Sequence, residues 1–131
     1  MTKTLDGNMY DIIGAAMKIH NTLGTGATRN QHRKALLNKL RALEYKVAKA
    51  DAIPVVDEDG DTILTLQPDF WIAPLRLLIT VVVSKRNMGY KHAEEARNYL
   101  RHKPDAESVL LLNCGMRTIK SWKFERDDLN R

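Results

Sequence analysis

Leu77-Leu78-Ile79-Thr80-Val81-Val82-Val83 is almost continuously apolar and β-branched, interrupted only by Thr80. A strand with one wet face alternates apolar and polar residues, so this run reads as a central strand covered on both faces. It is also far shorter than the roughly 20 residues that a membrane helix needs.

Working outward, Ala73-Pro74-Leu75-Arg76 is a turn that leads into the run from a strand at Asp69 to Ala73. Shorter β-like pieces precede it at Lys46 to Ala50, Ala52 to Val56 and Thr62 to Leu66, with Asp57-Glu58-Asp59-Gly60-Asp61 as a turn between the last two. Downstream, a helix from Lys91 to His102 is stopped by Lys103-Pro104. A second apolar strand, Ser108 to Leu112, the turn Asn113-Cys114-Gly115 and a strand from Thr118 to Phe124 follow. Two helices lead the chain. In the first, Met9 to Leu23, the apolar residues Met9, Ile12, Ile13, Ala16, Met17 and Leu23 recur at helical spacing, with Asp6 as its cap and Gly24-Thr25-Gly26 as its stop. In the second, Thr28 to Glu44, Leu36, Leu37, Leu40 and Leu43 share a face, and Arg33, Lys34, Lys39 and Arg41 turn mostly away. The order predicts one α/β domain over residues 1–131, with no repeat and no linker.

Composition agrees, since 44% hydrophobic and 28% charged residues are close to the globular average and far from the disordered class. The lone Cys114 cannot form an internal disulfide, which suits a reducing compartment. The N-terminus has no hydrophobic core of a secretory signal, so the expected location is cytoplasmic, with no membrane partner. A formal charge of +5 permits nucleic-acid binding without demanding it.

Most chemistry-bearing residues have bland readings. The Asp57–Asp61 turn is not an EF-hand loop, because its glycine is fourth and its twelfth position is Pro68. His92 and Glu95 are three apart on one helical face and, with His32, would make at most a weak metal group, so a surface pair is the better reading. Cys114 has no sequence neighbour to activate its thiol. Trp71 and Trp122 alternate with apolar residues in strands, as packing residues do.

Gln67-Pro68-Asp69 and the strand ending at Val83 carry more. In metal-dependent nucleases of the PD-(D/E)XK type, an aspartate on one strand and a Glu-x-Lys on the next meet at one end of a hairpin. The carboxylates hold Mg²⁺, and the lysine orients the attacking water. The chain resembles one branch of these nucleases, the small bacterial and archaeal GxxExxY proteins. Four ordered stretches carry the resemblance: Ile12 to His20 with Leu23-Gly24-Thr25-Gly26, the leucine-rich helix ending Leu40-Arg41-Ala42-Leu43, Pro68-Asp69, and Glu95 to Arg101 leading to Val109 to Asn113. It implies a restriction-endonuclease-like core, a mixed central sheet flanked by helices.

The same resemblance places the family's site glutamate and lysine on Val81 and Val83, and its naming glutamate and tyrosine on Arg29 and His32. Only Asp69 of the usual set remains, with Glu95 standing for a helix glutamine. The expectation is therefore a degenerate member without nuclease activity and without a metal cofactor, retained as a binding or assembly module. Under that reading Ile79, Val81, Val83 and Trp71 either fill the core or form an apolar concavity for a protein partner or a second copy. One alternative is DNA or RNA binding without cleavage through Arg29, Arg33, Lys34, Lys85, Arg86 and Lys91 around the old cleft. Another is an enzyme with a migrated site, in which Asp69 and Glu95 or Glu94 hold Mg²⁺ or Mn²⁺ and Lys85, on the strand parity of Val83, replaces the lysine.

Overall fold

A computed structural model describes the backbone of residues 5–130 and the side chains of residues 7–129. Two helices, α1 (Leu5–Leu23) and α2 (Arg29–Ala42), are followed by strands β1 (Val47–Lys49), β2 (Ile53–Val56), β3 (Thr62–Leu66), β4 (Phe70–Ile72) and β5 (Leu77–Val82). Helix α3 (Tyr90–His102) and strands β6 (Ser108–Asn113) and β7 (Lys120–Glu125) complete the order. Helix α1 already runs from Leu5, so Asp6 lies within its first turn; its side chain is outside the described ones.

Five strands form a mixed sheet in the order β1-β4-β5-β6-β7, and β2 and β3 form a separate hairpin. The β5–β6 pair is parallel, Leu77 opposite Ser108 through Val82 opposite Asn113, and α3 is the crossover that a parallel pair requires. The two central strands are apolar on both faces because helices cover both. Leu77, Ile79 and Val81 of β5 and Leu110 and Leu112 of β6 meet Ile12, Ala16, Leu36 and Leu40 of α1 and α2. Leu78, Val109 and Leu111 point the other way, to Ala96, Tyr99 and Leu100 of α3 and to Ile53 and Leu66 of the hairpin. The result is the α/β architecture with a mixed central sheet that the sequence predicts.

Local chemistry sets the joints. Thr28 caps α2 reciprocally: its hydroxyl accepts from the Gln31 N–H at 3.1 Å, and Gln31 Oε1 accepts from the Thr28 N–H at 2.8 Å. The acidic turn closes on itself as well, Asp57 Oδ1 accepting from the N–H groups of Asp59 and Asp61 with Gly60 at φ 85°. The residues Ala73–Leu75 form a short 3-10 turn that ends with Arg76 in the left-handed region. At the other end of β5, Asn113 Oδ1 accepts from the N–H groups of Ser84 and Gly115, and its amide donates to the Arg86 carbonyl. A Cβ on Gly115 would stand 2.5 Å from Ser84 backbone atoms, so only glycine fits there.

Candidate functional site

Asp69 precedes β4, where its N–H donates to the Ile79 carbonyl and fixes it at the head of the β4–β5 hairpin. Its side chain is buried, at 1% exposure, and points to the α2 side of the sheet. Three groups meet it. Arg29 Nη2 donates to Oδ1 at 2.6 Å, and Arg33 Nε stands 2.8 Å from the same oxygen as an ion pair outside hydrogen-bond alignment. The Val81 N–H donates to Oδ2 at 2.7 Å.

Helix geometry explains the first two contacts, because residues 29 and 33 are one turn apart on α2 and share a face. Arg33 therefore does not turn away as the helical pattern suggests; it reaches inward over Phe70, 6.0 Å from the ring centroid, to the carboxylate. Arg29 is the first residue of α2, where a cation opposes the helix dipole and no acidic residue occupies the first turn. Asp69 supplies the missing negative charge from across the chain. Arg29 also donates from Nε to the Val81 carbonyl at 2.9 Å, so one guanidinium joins the carboxylate to the strand.

A divalent ion at this point would need hard oxygen donors, usually one or two carboxylates with waters. The two oxygens nearest to hand, Asp69 Oδ1 and the Val81 carbonyl, already receive the guanidinium, and Asp69 Oδ2 receives a backbone N–H. Among the described residues no three His, Cys, Asp or Glu side chains are grouped to hold a metal. The residues present do not fit a catalytic divalent cation.

Other sequence candidates disperse. Glu95 belongs to α3 on the opposite face of the sheet, and its carboxylate accepts the Tyr99 hydroxyl. Burial, with that carboxylate beside it, raises the Tyr99 pKa well above its usual range. Glu94 pairs with Arg97 at 2.8 Å, and His92 Nδ1 accepts from the Gly89 N–H, capping α3. Lys85 is exposed in the bend after β5, which ends at Val82, so the strand parity that would aim it at Asp69 does not extend that far. Asp69, Glu95 and Lys85 are thus not one constellation.

The apolar concavity does not form either. Ile79 and Val81 are buried in the α1–α2 core, Val83 is 44% exposed beyond the strand, and Trp71 faces the α3 side under Lys103 Nζ, 4.2 Å from its ring. His32 is buried beside Val81 and Cys114 and packs 5.7 Å from His20, ring centroid to centroid. Burial pushes the Cys114 thiol up to about 11, which keeps it protonated and inert.

The basic residues divide in a way that the sequence did not show. Lys34 and Arg33 line a hollow of about 330 Å³ with Asn30, Leu37, Phe70 and Lys49, the last unnoticed from sequence because it lies on β1. Lys91 lines a separate hollow against Leu64, Leu66 and Glu95, and Lys85 and Arg86 sit in the loop held by Asn113.

The sequence profile of a family described as the PD-(D/E)XK nuclease superfamily matches residues 6–125. No curated protein and no solved structure matches the chain.

Proposed function

Because the chain belongs to the PD-(D/E)XK nuclease superfamily, we propose that it is a degenerate, catalytically inactive member, similar to the small GxxExxY proteins and retained as a binding or assembly module. The observation that carries this reading is the Arg29 guanidinium bonded to both Asp69 Oδ1 and the Val81 carbonyl. Metal-assisted hydrolysis of a phosphodiester requires a cation that activates water and offsets charge on the phosphoryl oxygens. Here a fixed side-chain cation neutralises the one remaining carboxylate, and Val81 and Val83 offer neither a second carboxylate nor a lysine. A guanidinium holds no water to ionise, so it supplies charge without a nucleophile. Neither Mg²⁺ nor Mn²⁺ serves as a cofactor in this reading.

The test is incubation of the full chain with plasmid, single-stranded DNA and RNA in Mg²⁺ or Mn²⁺, with calorimetric titration of each ion. The expected result is intact nucleic acid and no binding heat. Divalent-dependent cleavage that Asp69→Ala abolishes would falsify the proposal. A reconstruction sharpens it: Arg29→Glu with Val81→Glu and Val83→Lys restores the residue types that the family resemblance places at these positions, and should create measurable Mn²⁺ binding where the parent has none.

A second reading is supported by the hollow at Asn30, Arg33, Lys34 and Lys49 beside the N-terminus of α2, which suits polyanion binding without cleavage. Binding of labelled DNA or RNA would then fall steeply with salt, and Lys34→Glu with Lys49→Glu would flatten that dependence by about two phosphate contacts. An affinity unchanged between low and physiological salt removes this reading.

A further inference from the structure

An open groove lies away from Asp69, on the outer side of α1. It has a volume of about 630 Å³ and is walled by Tyr10, Ile13, Gly14, Met17, Lys39 and Leu43. Tyr10 is 80% exposed, Met17 50% and Leu43 47%, an unusual concentration of large apolar surface for α1 and the end of α2. At its centre, a Cβ on Gly14 would meet no atom within 4 Å, so an approaching helix can come close to the α1 backbone there.

Charge selects the occupant. Asp11 stands three residues before Gly14 and Lys18 four residues after it, and both line the groove. The Tyr45 hydroxyl, 3.3 Å from Asp11 Oδ2, helps to set the acid in place. Lys39 of α2 adds a second cation, so a partner of either sign would meet a like charge along this groove. An antiparallel copy of α1 does not: a two-fold axis at Gly14 sets residues 10 and 11 of one chain against 17 and 18 of the other. Each Asp11 then meets a Lys18, each Tyr10 ring meets a Met17 and the stem of a Lys18, and the two helix dipoles oppose.

We propose that the chain forms a two-fold dimer by packing α1 antiparallel on α1 of a second copy, with Gly14 at the axis. The dimer deepens the assembly part of the function proposed above but uses none of the Asp69 cluster, so nuclease activity and self-association fail separately. The experiment is light scattering and sedimentation of the full chain up to millimolar concentration, together with oxidation of a Gly14→Cys variant. The expected outcome is twice the 14.9 kDa chain mass and a disulfide-linked dimer of the variant. The parent is the control, because its lone Cys114 is buried.

Lys18→Glu, at an exposed position, should weaken the dimer about tenfold, since a two-fold axis counts each lost pair twice. Adding Asp11→Lys should restore it. Should Asp11→Lys disturb the Tyr45 contact and the fold, the Gly14→Cys cross-link still decides. A monomer at every concentration overturns the proposal. So does a dimer that Gly14→Cys does not cross-link, which would use another surface.

Discussion

The Asp69 cluster and the α1 groove belong to the same helical layer and treat their side chains in opposite ways. At Asp69 a charge is buried and each carboxylate oxygen is taken by a group of this chain. Along α1 apolar side chains stand in the open, with Tyr10 and Met17 uncovered. The polar site is closed by its own residues, and the apolar surface is left for something else. One side of this PD-(D/E)XK fold thus satisfies its polar groups internally, and another leaves apolar side chains exposed.

The largest expected effect comes from opening the closed side. Asp69→Ala removes the carboxylate that Arg29 and Arg33 share and leaves the Val81 N–H without its acceptor, which should cost about 3–5 kcal/mol in urea unfolding. A loss below ~1 kcal/mol would place the cluster among ordinary exposed ion pairs and erase the contrast. The next test stays on one helix. Ile12→Ala, at a fully buried position of α1, should cost about 2–4 kcal/mol, whereas Met17→Ala on the groove side should cost under ~0.5 kcal/mol in dilute, monomeric protein.

Alkaline pH probes the buried groups on both faces of the sheet. Cys114, with an ordinary value of 9.0, is pushed up to about 11 by burial, and Tyr99 is raised by burial and by Glu95. Between pH 9 and about 11 the unfolded chain gives up the Cys114 proton and the folded chain keeps it, so stability is full below 9 and falls as pH rises. Tyr99 adds to the fall above pH 10. Denaturation midpoints across that range should decline, and Cys114→Ser should lessen the slope. On α1, Gly14→Ala should gain up to ~1 kcal/mol in dilute protein from helix propensity, since a Cβ there meets no atom of the chain.

Much of this architecture was legible in the residues. The doubly apolar runs at Leu77 and Ser108 mark the strands that helices cover on both faces, and Gly24 to Gly26 marks the break between α1 and α2. The decisive contact was not. Arg29 and Asp69 are 40 residues apart, and no periodicity says that a surface cation on a helix bends to a buried acid on a hairpin. One signal was available: Arg29 and Arg33 share a helical face, and the chain offers them no acid in the first turn of α2. The orientation of Trp71 was hidden for a related reason, because a three-residue strand gives too little alternation to fix which face it buries.

The guanidinium at Asp69 also has a consequence for supply. An ion must be gathered from the surroundings, competes with other ions, and leaves when it is chelated or scarce. Arg29 is synthesised with the polypeptide, at one copy per site, and cannot be dialysed away. With the Arg29 guanidinium on Asp69 and the Val81 carbonyl, thermal unfolding in EDTA should overlay that in magnesium.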